Sequence, residues 1–315
     1  MVNEVVLADL QINLNNRPMD LINVLKYARE YAKEVHAERV VVAGDIYEYR
    51  NPKPEEQKIF QQWVKSIVDA GMEVLLVVGN HDTVTTKLKK GTYYTFGEFH
   101  NLDFKGVKVV DSGYKEKGIY YGHFMLKGAK MGPINYVYDL GMTAEELKLN
   151  NPDCNLFLLG DVHKFQEVID NVVYVGSPER ENFGEREEMK GFLHVTDGGW
   201  EFIPTPARKM VQVVIDMTTD LPYDEVDTKD AIVKVVVKVT REKLKEVDQK
   251  KIQELFKDAY ELVGIEYNVI EVQKKRNERI NESKTPLDCF AEYAAQEDFG
   301  SEVINEGKKI LEEVK

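Results

Sequence analysis

The sequence predicts an α/β fold built in layers, and three observations carry that prediction. Short β-branched runs alternate with amphipathic helical stretches through roughly the first two-thirds of the chain. From about residue 168 the pattern becomes hairpin-like, which reads as a second sheet layer closing a sandwich. Past Ala207 a small β-α-β stretch and two helical stretches with apolar faces complete the chain.

The strand EVVLAD opens the pattern, and Leu21, Val24, Leu25, Ala28 and Ala32 then recur at helical spacing. RVVVAG is the second strand. Pro52 and Pro54 lead into a second helix with Ile59, Phe60, Trp63, Ile67 and Val68 on one side. EVLLVVG, GIYYG and NLFLLG follow as strands. VVYVGSPE and KGFLHVTDGGWEFIP then read as strands and a hairpin, with Gly198 and Gly199 as its turn.

Pro204 and Pro206 punctuate a boundary near Ala207. Beyond it MVQVVIDM and AIVKVVVKV are strands, the latter alternating Lys with Val as a half-buried strand does. A helix with Leu244, Val247, Ile252, Leu255 and Phe256 on one side and the strand EYNVIEV complete this module. In TPLDCFAEYAAQ, Thr285 is placed to cap a helix, with Pro286 at its first position and Asp288 in its first turn. Leu287, Phe290, Ala291 and Ala294 form one apolar face, and Val303, Ile310, Leu311 and Val314 another. Three regions are expected: 1–207, 208–275 and 276–315.

A 43% hydrophobic content is ordinary for a globular protein, and no apolar run approaches the roughly 18 residues of a membrane span. The N-terminus MVNEVVLADL runs straight into a strand pattern, so a cytoplasmic protein without a signal peptide or membrane association is expected. Cys154 and Cys289 are far apart and form no CxxC pattern, which leaves oxygen and imidazole as metal donors. The net charge of -13 argues against a surface that grips nucleic acid everywhere, while leaving room for a local basic track.

Five apolar strands end in groups able to bind a metal. ADLQ offers Asp9 and Gln11, AGD offers Asp45, VGNHD offers Asn80 and His81, YGH offers His123, and LGDVH offers Asp161 and His163. Active sites of open α/β sheets gather at the carboxyl ends of strands, so these loops converge although scattered in sequence. Each alone is equally an ordinary turn. His36, His100 and His194 stand outside the set and are read as a helix end, a loop and a strand position.

The order D-x-H/Q, GD, GNHD, H, H/D-x-H resembles the calcineurin-like metallophosphoesterases. KFQ after His163, then VVYVGSPERENFGE and KGF, resemble the SbcD family of DNA double-strand-break repair nucleases, over residues 4 to 205 and more loosely beyond. The resemblance implies a four-layer α-β-β-α metallophosphoesterase sandwich with a small α+β capping domain and C-terminal helices. It also implies two divalent metals, the first on Asp9, Gln11, Asp45 and His163, the second on Asp45, Asn80, His123 and Asp161, with Asp45 bridging. His81 matches the position that acts on the scissile phosphate and leaving oxygen; Asp82 is expected to orient His81 or cap the next turn.

Gln11 and Asp161 stand where family members usually carry His. The exchange makes the site harder and more negative, so manganese is expected, with magnesium next and zinc disfavoured.

Lys87, Lys89 and Lys90 precede Tyr93, Tyr94 and Phe96, a basic and aromatic mixture suited to a nucleic acid backbone and frayed bases, or simply a solvated loop. Lys127, Lys130 and the run Lys274, Lys275, Arg276 offer further phosphate contacts or plain exposed faces. By resemblance Ser177 and Arg180 lie beside the metal loops as substrate contacts; the alternative is a turn whose Arg pairs with nearby glutamates.

The resemblance further implies that the C-terminal region binds the coiled-coil base of an SbcC-type ABC ATPase. It also implies a homodimer within a two-plus-two complex acting on DNA. Packing of residues 285–315 on their own capping domain is the alternative. The expected function is a DNA exonuclease and endonuclease subunit in end processing and break repair. A phosphoesterase of small phosphodiesters such as cyclic nucleotides is the second reading. A non-catalytic scaffold is the third, against which the retained Asp9, Asp45, Asn80, His81, His123 and His163 speak.

Overall fold

Uninterrupted β-branched runs such as Val40-Val41-Val42 form strands covered on both faces, because each successive side chain points to the opposite side and both sides are apolar. The computed structural model describes residues 1–85, 92–94, 105–132, 134–219, 226–270, 285–297 and 299–313. The chain runs β1 (Asn3–Leu7), α1 (Pro18–Glu34), β2 (Arg39–Ala43), α2 (Pro54–Asp69) and β3 (Glu73–Val77), then a hairpin of β4 (Thr83–Thr85) and β5 (Thr92–Tyr94). There follow β6 (Val107–Val110), β7 (Tyr114–Glu116), β8 (Ile119–His123), a hairpin of β9 (Lys130–Met131) and β10 (Tyr136–Val137), α3 (Ala144–Asn150) and β11 (Leu156–Gly160). Next come β12 (Gln166–Ile169), β13 (Val172–Tyr174), a 3-10 turn at Phe183–Glu185, β14 (Gly191–Thr196) and β15 (Gly199–Pro204). The remainder is β16 (Met210–Asp216), β17 (Ile232–Thr240), α4 (Gln249–Leu255), β18 (Glu261–Ile270), α5 (Pro286–Gln296) and α6 (Ser301–Glu313).

One sheet has the order β15-β14-β1-β2-β3-β6, with β1, β2, β3 and β6 parallel; the other has the order β12-β13-β11-β8-β7, with β11 parallel to β8 and β13. Residue alternation assigns the layers. Val5, Leu7, Val40, Val42, Val74 and Leu76 pack with Leu25, Phe60 and Trp63 of α1 and α2. The intervening Val6, Val41, Ala43, Leu75 and Val77 face Tyr121, Leu158 and Val173 of the second sheet. Phe157, Leu159 and Tyr174 turn outward onto Ala144 and Leu147 of α3. The expected α-β-β-α sandwich is therefore the observed one. Between its sheets, Arg39 on β2 holds Glu4 on β1 and Glu116 on β7, and the Tyr121 hydroxyl on β8 donates to Glu4 at 2.5 Å.

The chain divides into two compact units. The first comprises Met1–Gln212, Asp227–Lys234 and Phe256–Val263, and the second Val213–Val226, Val235–Leu255 and Gly264–Lys315. β16, β17 and β18 form one three-stranded sheet in that order. Within the second unit Val213, Ile215, Val235, Val237, Val239 and Ile252 are buried, and Gly307 of α6 lies against the Phe290 ring of α5. The single helix expected from Leu244 to Phe256 is instead a 3-10 turn at Lys243–Glu246 followed by α4. Val247 is extended, and the Asp248 side chain accepts from the N–H groups of Lys250 and Lys251, restarting the helix as an N-terminal cap does. Among the described residues no helix is long and apolar enough to cross a membrane.

Candidate metal centre

The loops that leave β1, β2 and β11 bend sharply, and the bends fall on expected metal-binding residues. Asp9, Gln11, Asp45 and Asp161 have φ of 50, 47, 51 and 85°. Non-glycine residues there are strained by about 1–3 kcal/mol each, which persists only where the surroundings over-determine the backbone. The glycines of these motifs allow close approach. A Cβ on Gly44 would fall 2.2 Å from His123 Nδ1, and one on Gly79 would fall 2.3 Å from Asp45 Oδ1.

His123 is the hub. Its Nδ1–H donates to the Ala43 carbonyl at 2.8 Å, which turns Nε2 toward the other groups. Nε2 lies 3.0 Å from Asn80 Oδ1, 3.2 Å from Asp45 Oδ1 and 3.8 Å from Asp161 Oδ1. Gln11 Nε2 donates to the other Asp45 oxygen at 3.3 Å, and the Asp161 N–H donates to Asp9 at 3.0 Å. Asp9, Asp45 and His123 offer ligand atoms that all lie within 4.8 Å of one another. An octahedral shell at about 2.0–2.1 Å spaces neighbouring donors at about 3 Å, so this spacing suits a small divalent ion. Gln11 Oε1 is buried with no hydrogen-bond partner, a lone pair left over for a cation. The residues present fit the metals the fold implies.

The charge balance agrees. Burial pushes the Asp9 carboxyl up to about 6 and raises Asp161, against the nearby histidines that favour their charged forms. Burial works against a charged His123, yet Asp45 and Asp9 outweigh it and raise the imidazole. Without a cation, protons on the histidines balance the carboxylates, and metal binding displaces them.

His81 stands apart from the metal set. Its N–H donates to Asp45 Oδ1 at 2.9 Å and its ring Nδ1 lies 2.6 Å from the Glu48 carbonyl, leaving Nε2 unengaged by either contact. Asp82, next in the chain, is wholly buried. It accepts the N–H groups of Asp45, Ile46 and Gly79 at 2.9, 3.0 and 2.9 Å, tying the loop after β2 to the loop after β3.

His163 sits in a second cluster with Glu181 and Glu185, its Nδ1 3.3 Å from Glu185 Oε1 and 3.5 Å from Glu181 Oε2. It still affects Asp9 electrostatically. Sequence reasoning missed both glutamates and Lys190; the one signal was the clustering of acids in ERENFGE.

The structure turns Ser177 and Arg180 inward, against the expectation that they meet substrate. Ser177 is 1% exposed and its Oγ donates to the Glu179 carbonyl at 3.0 Å. The Arg180 guanidinium donates to the carbonyls of Ala207, Arg208 and Glu188 at 3.3, 3.2 and 3.0 Å, so backbone rather than a glutamate side chain takes its N–H groups. Lys127 pairs with Asp139 at 2.9 Å. Lys87, Lys89, Lys90, Phe96, Lys274, Lys275 and Arg276 lie outside the described residues. A cleft of about 240 Å³ opens beside Asp161 and His163, lined also by Met131, Gly132 and Asn182.

A sandwich of this layering with carboxylates, amides and imidazoles gathered at its strand ends defines a metal-dependent phosphoesterase. The chain belongs to the calcineurin-like phosphoesterase family, whose pattern it matches over residues 5–193. Members hold divalent metals, and Asp9, Asp45 and His123 are placed here to do so. The chain is similar to the DNA double-strand break repair protein Mre11 of Methanopyrus kandleri, 24% identical over an alignment of 340 positions, gaps included, that covers 91% of this chain and 73% of that protein. Among solved structures it is similar to the nuclease MPE of Pseudomonas putida, at 16% identity and a TM-score of 0.32, covering 64% of this chain and 80% of the other.

Proposed function

We propose that this protein is a DNA nuclease that hydrolyses phosphodiester bonds in DNA end processing and double-strand-break repair, using two divalent ions. The observation that carries the reading is the set of donors around His123 Nε2, with His81 beside it but outside the metal set. Divalent ions held there would supply positive charge for the phosphoryl oxygens and activate a water for in-line attack. Asp45, with one oxygen toward His123 and the other toward Gln11, is placed to serve both positions. The two amides orient without adding charge. His81, fixed through Nδ1 by Glu48 and through its N–H by Asp45, presents Nε2 to hold or give a proton at the leaving oxygen. No side-chain nucleophile is required.

DNA is favoured as substrate because similarity to the repair protein extends over 91% of this chain, well past the phosphoesterase portion. A small phosphodiester is the second reading, favoured by the modest cleft beside Asp161. The oxygen-rich donor set supports manganese. For partnership, Tyr293, Val303 and Ile310 on α5 and α6 are 47, 56 and 54% exposed, an apolar surface suited to docking an SbcC-type ATPase. A homodimer within a two-plus-two complex follows from the same resemblance. Manganese-dependent assays on single-stranded and blunt double-stranded DNA, beside a cyclic nucleotide and an Asp45→Asn control, test the reading. Cleavage that survives Asp45→Asn refutes it, and turnover of the cyclic nucleotide alone selects the second reading.

A further inference from the structure

We propose that Glu185 and Lys190 form a clamp that fixes His163 for metal binding, Lys190 holding this residue at its carbonyl and, through Glu185, at its ring. The inference rests on the two-metal reading above and assigns positioning roles to two residues outside its ligand set.

Both side chains are buried, Glu185 at 7% exposure and Lys190 at 3%. Glu185 Oε1 receives the His163 Nδ1–H at 3.3 Å and Asn182 Nδ2 at 3.3 Å. Its Oε2 receives Lys190 Nζ at 2.8 Å and the Glu181 N–H at 3.0 Å. A carboxylate held from four directions cannot swing away. Lys190 Nζ also meets the His163 carbonyl at 3.1 Å, Ser177 Oγ at 2.8 Å and Glu188 Oε2 at 3.0 Å. Three ammonium hydrogens thus face four acceptors, so Lys190 is fully committed to this loop.

Lys190 Nζ and the Glu181 N–H on Oε2, with His163 and Asn182 on Oε1, all donate, so Glu185 stands as a carboxylate that only accepts. An ionised acceptor keeps the proton of His163 on Nδ1 and leaves Nε2 as the ring atom for a cation, the usual carboxylate, histidine and metal arrangement. Glu181 is the weaker candidate for this role. Its oxygen lies at 3.5 Å, and its other oxygen is buried without a hydrogen-bond partner.

Glu185→Gln provides the test. The Lys190 ammonium would claim the amide oxygen, turning the NH2 group toward His163 Nδ1, which would then have to accept and shift the proton to Nε2. Two measurements follow on the full-length protein: nitrogen-15 NMR of the metal-free His163 ring at alkaline pH, where the imidazole is neutral, and Mn2+ titration by calorimetry. Wild type should show a slowly exchanging Nδ1 proton, identified by its loss in His163→Asn. E185Q should lose that proton and bind one of two Mn2+ ions 10–100-fold more weakly, the range for partners that orient a ligating histidine. Its melting temperature in chelator should fall, since one charge leaves a buried ion network, and Glu185→Asp should recover part of the affinity.

Retention of the proton in E185Q, or its loss in Glu181→Gln instead, overturns the assignment. So does equal weakening of both ions, which would make Glu185 a packing residue. Wild type that binds no Mn2+ overturns the two-metal reading itself. Wild type that binds two ions, with E185Q binding both equally well, overturns the clamp alone.

Discussion

Substituting Gly160 by Ala probes how closely the two sheets must approach to assemble the site. Gly160 ends β11 opposite His123 on β8, and a Cβ there would lie 2.2 Å from the Ala43 carbonyl oxygen and 2.6 Å from His123 Nδ1. Real Cβ atoms do not come closer than 3.0 Å, so β11 must retreat from the end of β2 by about 0.8 Å. The hydrogen bond from His123 Nδ1 to Ala43, 2.8 Å long, lies beside that gap and will be stretched or rotated. Overpacking of this kind costs about 1–3 kcal/mol of stability. A displacement near 1 Å in a catalytic constellation costs about 100-fold in rate. The assay is manganese-dependent cleavage of a labelled DNA end, read as kcat, beside thermal unfolding. Gly264→Ala, where an added Cβ meets nothing within 4 Å, controls for the loss of glycine itself. A Gly160→Ala protein with wild-type kcat and metal affinity would show that the gap at Ala43 is not required and would refute the geometry given to His123.

Three further outcomes follow. His81→Asn should lower kcat by about 100- to 10,000-fold while calorimetric Mn2+ affinity stays near wild type, since the ring lies outside the donor set; lost Mn2+ binding would place it inside. Hydrogen bonding to Arg39 lowers the Glu116 carboxyl below its usual 4.5, despite partial burial. A depressed folded pKa stabilises above the unfolded value and loses that contribution as pH falls through the folded one. Acid titrations of unfolding should therefore show wild type losing stability below about pH 4.5 more steeply than Glu116→Gln; parallel curves would remove the pair from the acid response. Asp161→His exchanges a carboxylate for an imidazole and should shift the ratio of zinc- to manganese-supported activity toward zinc; an unchanged ratio would mean that Asp161 does not set metal preference.

The strands that carry the site were legible because each is a short apolar run, four of the five ending at a glycine, and both signals are local. Five such endings pointed to one sheet edge, and the structure places them along the facing ends of two sheets. α3 was missed for a physical reason: only Ala144 and Leu147 of its seven residues are buried, too few to set up a period. Its capping box, Thr143 with Glu146, was present in the sequence and unused. The direction of Ser177 and Arg180 was not legible, because adjacency in sequence does not say whether a side chain faces the cleft or the loop behind it.

Lys190 is the sharper lesson. A lysine whose side chain is wholly removed from solvent runs against every hydropathy expectation, and only its surroundings explain it. Glu185 and Glu188 supply negative charge, and the His163 carbonyl and Ser177 hydroxyl complete its acceptors. The apolar cores account for how the sheets stack but not for where His163 points. That falls to a buried ion network whose desolvation cost is accepted for position rather than for stability. Replacing Lys190 alone would leave Glu185 and Glu188 as buried charges without their partner, the most destabilising way to open such a network. The informative substitution is therefore Glu185→Gln, which keeps the volume, removes a single charge, and reverses one hydrogen bond at the histidine.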